Sequence, residues 1–196
     1  MIKQRIFCSE RETHPTMNAE TSPTQPPARS VVTTRLLLRP MDSTDALALH
    51  ALMDDSVAAR FFPNPTPPPL ERVEKWAARQ AASWDERGYG LWVVCLRPGG
   101  EVVGWAGLQY LPDTDETEVA YQIARSHWGQ GLASEAARAA LDYAFRTLGL
   151  AQVVAVVHPE NAASIRVIEK AGMGFTGQCE YFGMQVRRYV ALKDPG

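Results

Sequence analysis

Cysteine is scarce in this chain. Cys8, Cys95 and Cys179 are the three among 196 residues, far apart and in no CxxC pair. That argues against a disulfide scaffold or a cysteine zinc site and fits a reducing cytoplasm. The four histidines (His14, His50, His127, His158) are equally scattered, so no metal-ligand spacing exists and no metal is expected. A basic excess is also lacking. Twenty Lys and Arg against 22 Asp and Glu leave a formal charge of −2, which argues against a nucleic-acid partner. No apolar run approaches the roughly 20 residues that span a bilayer, so no membrane partner is expected. The first residues also lack the apolar stretch of a secretory signal. What the chain does have is 45% hydrophobic residues, enough for one sizeable core.

Residues 1–30 hold four prolines and seven serines or threonines without an apolar period. They read as a disordered N-terminal extension ahead of a single domain over 31–196. Within that domain Arg35–Arg39 reads as a strand stopped by Pro40. Asp42 to Asp45 offer caps for a helix carrying Leu47, Leu49, Leu52 and Met53. Five prolines in residues 63–69 predict a stiff connector, followed by a helix over Leu70–Arg87 that Gly88 closes. Leu91–Leu96 and Glu101–Tyr110 predict a hairpin turning at Pro98-Gly99-Gly100, and Val119–Ile123 a further strand. Apolar residues spaced four apart over 132–148 predict an amphipathic helix ended by Gly149. The continuous run Val153–Val157 predicts a strand buried on both faces. A helix over Asn161–Ala171 and two strands near 175–182 and 186–192 complete a mixed α/β domain.

Two segments carry chemistry. In the first, Glu118 to Glu135, a strand enters a short loop with Gly129 and Gly131 and then a long helix. Glycines let backbone N–H groups approach a ligand, and a helix start adds unpaired N–H groups and a positive dipole end. Together these suit a pyrophosphate, although neither GxGxxG nor GxxxxGK[ST] is present. The second segment, His158 to Phe175, also opens a helix. Asn161 is its N-cap, and Ser164 lies on the same face three residues on.

Trp128-Gly-Gln-Gly-Leu-Ala-Ser-Glu135, followed by Asn161-x-x-Ser164-x-x-Val167-x-x-Lys170-x-Gly172-x-x-Phe175, resembles the GNAT superfamily of acetyl-CoA-dependent N-acetyltransferases. Thr34-Arg35-Leu-Leu-Leu-Arg39-Pro40 and Glu118-x-x-Tyr121 resemble its ribosomal-protein-alanine acetyltransferase (RimJ/RimL-like) branch. The resemblance spans roughly residues 31–192. It implies a mostly antiparallel sheet splayed between two parallel strands, here 118–123 and 153–157, flanked by about four helices. It further implies acetyl-CoA as co-substrate, its pantetheine arm along Ile123, Ala124 and Arg125 and against Asn161 and Ser164. The pyrophosphate would lie on Trp128, Gly129, Gln130, Gly131, Leu132, Ala133 and Ser134. Trp128 departs from the family's usual Gln or Arg at the first position of that loop. The acceptor would be an amine, either a peptide N-terminus or a small molecule such as an amino acid, polyamine or aminoglycoside, and the protein a monomer or homodimer.

Acyl transfer to nitrogen needs a neutral amine, hence a base. Glu118 is the candidate, against the alternative of a solvated strand-end carboxylate clustered with Asp113, Asp115 and Glu116. Ser164 is the candidate acid or thiolate partner, against a plain helix-surface hydroxyl, with Tyr181 as another possible donor. Arg125 and Arg166 could meet cofactor phosphates or simply face solvent. Trp92 and Trp105 read as core. His127 and His158 flank site loops without a visible acidic partner, and Cys179 has no adjacent histidine. Two rival functions stay open: a catalytically silent acyl-CoA-binding module, and a structural protein without a ligand.

Overall fold

The computed structural model describes residues 29–181 and 183–194. The expected extension therefore lies outside the described residues except at Arg29 and Ser30. Arg29 is docked, its carbonyl accepting the Trp92 indole N–H at 2.8 Å and its guanidinium 3.1 Å from Asp85.

Among the described residues eight strands form one sheet. They are β1 (Val31–Val32), β2 (Leu36–Pro40), β3 (Leu91–Leu96), β4 (Val102–Leu111), β5 (Glu116–Ile123), β6 (Gln152–Val157), β7 (Gly174–Tyr181) and β8 (Met184–Leu192), in the order β1-β2-β3-β4-β5-β6-β8-β7. Every neighbouring pair is antiparallel except β5 and β6. The described residues also form five α-helices that flank the sheet: α1 (Ala46–Met53), α2 (Ser56–Ala59), α3 (Leu70–Arg87), α4 (Leu132–Asp142) and α5 (Ala162–Lys170). The mixed α/β architecture matches the sequence reading.

The core has two sides. Leu91, Val93 and Cys95 on β3 pack with Trp105, Leu49 of α1 and Val73 and Ala77 of α3. On the other face Trp92, Val94 and Leu108 pack with Val119 and Ile123 of β5. There α4 presents the small side chains Ala136, Ala137 and Ala140, which let the helix lie close to the sheet.

The structure differs from the sequence reading in four places. Pro40 is the last residue of β2, paired opposite Trp92, rather than a residue beyond the strand. Strand β5 begins at Glu116, because Glu116, Thr117 and Glu118 continue the ladder with β4 despite their polarity. The helix over 132–148 stays α-helical to Asp142 and widens into a π-turn over Tyr143–Thr147. That turn seats Tyr143 edge-on against Trp92 and lets its hydroxyl donate to the Gly88 carbonyl. The strand β1 and the single-turn helix α2 carry too few residues to show a period.

Candidate active site

The parallel pair β5 and β6 meets at a single register point, Glu118 opposite Val154, and then separates. Hydrogen bonding in an antiparallel ladder alternates, and Ala124 donates to the Val103 carbonyl on the β4 side. The N–H and C=O groups of Val119, Tyr121 and Ile123 therefore face the opening. The result is a cleft of about 570 Å³ between the two strands.

Glu118 occupies the point of separation. Its Oε1 accepts the Val156 N–H at 3.2 Å, a group that an unbroken ladder would have paired with backbone. Gln109, directly opposite on β4, donates its amide to Oε2 at 2.5 Å. Glu118 is 5% exposed, and among the described residues no cation acts on it. Burial pushes the carboxyl up to about 7, although both hydrogen bonds favour the charged form. The solvated-cluster alternative fails on geometry: Asp113 and Asp115 are exposed in the preceding turn and Glu116 pairs with Arg188, whereas Glu118 points into the cleft.

The loop after β5 is a tight turn over Arg125–His127, then Trp128 to Gly131. Gly129 (φ +76°) and Gly131 (φ +78°) both hold left-handed backbone. Gly131 is the N-cap of α4 and offers no side-chain cap, so the first-turn N–H groups of Leu132, Ala133 and Ser134 are left for a ligand. This end of the cleft fits an anion such as a pyrophosphate.

Two residues outside the expected set hold the loop. Arg35 donates to the Gln130 carbonyl at 2.8 Å and to Glu135 at 2.7 Å. Glu135 also takes the Thr33 hydroxyl at 2.6 Å, so the start of α4 is tied to the turn between β1 and β2. Both residues stand inside quoted motifs, but nothing in their spacing announces a contact across 100 positions. Trp128 explains its own departure from the family pattern. Its indole N–H reaches back to the Ile123 carbonyl at 2.7 Å, bracing the loop on the strand end and leaving that carbonyl one free lone pair. Of the three backbone positions expected to line the pantetheine arm, Ala124 has its N–H bound inside the sheet, which leaves Ile123 and Arg125.

Across the cleft, Asn161 caps α5 by accepting the Ser164 N–H at 3.1 Å. The Ser164 hydroxyl lies 2.9 Å from the Tyr121 hydroxyl, which is also 3.1 Å from the Ser164 carbonyl. This pair ties β5 to α5 over the opening. Burial raises the Tyr121 phenol above its usual value, so it stays protonated and can donate. Tyr121 lies three residues after Glu118, so the pleat turns the two to opposite faces.

The other expected residues divide. Tyr181 is buried with Leu111, Val154 and Val186, outside the cleft lining, and burial pushes its phenol up to about 12. Arg125 pairs with Asp55 at 3.4 Å, while Arg166 is exposed at the rim. His127 does have an acidic neighbour, Glu101 at 3.8 Å, contrary to the sequence reading, and that carboxylate comes from the β3–β4 turn. His158 stacks on Phe61 at 5.2 Å. Trp92 and Trp105 are both core, and Trp105 also lines the cleft and donates to Gln122 at 3.1 Å. Among the described residues no cluster of three or more His, Cys, Asp or Glu side chains could hold a metal, and no helix is long and apolar enough to cross a membrane.

Comparison with known proteins agrees with this geometry. The family model described as an acetyltransferase (GNAT) domain matches residues 35–174. A Bacillus subtilis protein described as uncharacterized protein YkkB is 34% identical over 168 residues, covering 82% of this chain and 89% of its own. The crystal structure of an acetyltransferase from Agrobacterium tumefaciens superposes with a TM-score of 0.74 at 28% identity, over 84% of this chain and 94% of its own. A ribosomal L7/L12 α-N-protein acetyltransferase (RimL) solved in complex with coenzyme A shares the fold, with a TM-score of 0.72 at 22% identity over 85% and 98% of the two chains. With the family model covering strands β2 to β6, the glycine loop and the Asn161-capped helix α5, this chain belongs to the GNAT acetyltransferase family.

Proposed function

We propose that the protein transfers an acetyl group from acetyl-CoA to a primary amine by direct attack in a ternary complex, with Glu118 as general base. The observation that carries this reading is the buried Glu118 carboxyl at the parting of β5 and β6, held near 7 and open to the cleft. A base with that value is half ionised near neutral pH, where it can take a proton from an ammonium group.

The N–H groups from Gly129 to Ser134 would hold the pyrophosphate, and Ile123, Arg125, Asn161 and Ser164 would line the pantetheine arm. Bound acetyl-CoA supplies a thioester carbonyl: the amine nitrogen forms the new C–N bond, the C–S bond breaks, and coenzyme A leaves as the thiol. Glu118 accepts the proton that the amine loses. The cleft-facing N–H groups of Tyr121 and Ile123 are suited to stabilise the oxyanion. Ser164, backed by the Tyr121 hydroxyl, is suited to hand a proton to the departing sulfur. Residues 1–30 serve as an extension to the catalytic domain, and the reduced cysteines Cys95 and Cys179 fit a cytoplasmic location.

The experiment is coenzyme A release over a panel of amines, with calorimetry of acetyl-CoA binding. Release that depends on amine and falls with Glu118→Gln supports the reading. Tight acetyl-CoA binding without release on any amine would identify a silent binding module instead.

A further inference from the structure

The pleat divides the cleft into two halves. Val119, Tyr121 and Ile123 face α4 and the glycine loop, while Glu118, Ala120 and Gln122 face the opposite side. With the pyrophosphate held at the start of α4, the amine must approach Glu118 from that opposite half. Its walls are Phe61, Phe62, Trp105, Met184 and Val186, all apolar in body.

Polar groups in this half are few, and most are engaged. The Gln122 amide oxygen takes the Trp105 indole N–H, and the Gln109 amide donates to Glu118. Asp55, near the mouth, is paired with Arg125. Among the described residues that line the cleft, Glu118 is thus the single carboxylate. A polyamine or amino sugar brings several cations or hydroxyls, and burying each without a partner is costly. An extended peptide brings backbone amides with the same requirement.

The aromatic wall is held rigidly. Asp55 caps α2 by accepting from the N–H groups of Val57 and Ala58, and the Phe62 N–H closes the following turn on the Ala59 carbonyl. The prolines from Pro63 onward stiffen the chain beyond. Phe61 is stacked on His158 at 5.2 Å, bridging the two lips of the cleft. Phe62 stays 37% exposed, its ring inclined 26° to that of Trp105 with the centroids 6.4 Å apart. An exposed aromatic fixed in a cavity wall is a ready contact for an apolar ligand.

We infer that the acceptor is a small monoamine with an aromatic or bulky apolar body, whose ring lies against Phe62 and Trp105 while its one nitrogen meets Glu118. This rests on the acetyltransferase reading above and narrows it to a substrate class. The test compares steady-state coenzyme A release with 2-phenylethylamine, butylamine, spermidine, an aminoglycoside and short peptides with free N-termini, with acetyl-CoA binding measured in parallel. The expected result is a kcat/KM for phenylethylamine at least about tenfold above butylamine, spermidine and the peptides. Phe62→Ala should lower the phenylethylamine value about tenfold, chiefly through KM, with a smaller effect on butylamine. Phe62→Leu should restore part of the loss. Preference for a peptide, polyamine or amino sugar, or an equal loss for every amine in Phe62→Ala, overturns the inference while leaving the acetyltransferase reading intact. Failure of acetyl-CoA to bind, or of every amine to react, overturns that reading and this inference with it.

Discussion

Replacing Glu118 by glutamine separates the carboxyl's charge from its shape, and the structure sets the size of both effects. The folded carboxyl titrates at about 7 against an ordinary 4.5. One pKa unit is 1.36 kcal/mol, so this difference corresponds to about 3 kcal/mol. The sign follows from the proton count. Below 4.5 the group is protonated in both states and costs nothing. Between 4.5 and 7 the unfolded chain gives up its proton while the folded chain keeps it, so stability falls as pH rises. Above 7 both states are ionised and the loss is complete. Glutamine has no charge to bury, and Gln109 can turn its amide to present oxygen instead of nitrogen, keeping the cross-strand bond. Urea unfolding of both proteins from pH 4.5 to 8.5 should therefore show Glu118→Gln gaining on the wild type by about 3 kcal/mol across that range. In kinetics the same change should lower kcat/KM by about 10²–10⁴-fold at neutral pH, with acetyl-CoA affinity retained. Wild-type kcat/KM should climb as pH rises through about 7 and the variant should lose that limb. A stability difference that stays flat with pH would refute the buried, raised carboxyl. A variant with near-full rate would remove Glu118 from the role of base.

Three further outcomes are expected. Gly131→Val forces a β-branched side chain into backbone at φ +78° and should weaken acetyl-CoA binding strongly by calorimetry while the far-UV spectrum stays native; unchanged affinity would refute the cradle. Ser164→Ala and Tyr121→Phe each break the hydroxyl pair across the cleft, and both should lower kcat more than they raise the KM for acetyl-CoA; effects confined to KM would make the pair a cofactor contact only. Deleting residues 1–28 should leave the melting temperature nearly unchanged, whereas deleting 1–30 removes the acceptor of the Trp92 indole N–H and should cost about 1 kcal/mol in chemical unfolding.

The sequence alone determined what is local. The apolar spacing of α4, the proline-stiffened connector before α3, the glycines ahead of α4 and the Asn161 cap of α5 all depend on neighbours a few residues away. Such patterns stay legible in one dimension. The tertiary structure decided what depends on distant partners. The face taken by Glu118 follows from its pairing with Gln109 and from Val156, 38 positions away, and only that placement buries the carboxyl and raises it to about 7. Tyr121 meets Ser164 across 43 positions, and Arg35 braces the glycine loop across 95. The aromatic wall joins Phe62, in the turn after α2, to Trp105 on β4, a meeting that no period in either segment encodes. A strand's alternation names two faces without saying which one will be buried; that choice belongs to the sheet, where β5 and β6 part and leave a polar side chain to fill the gap.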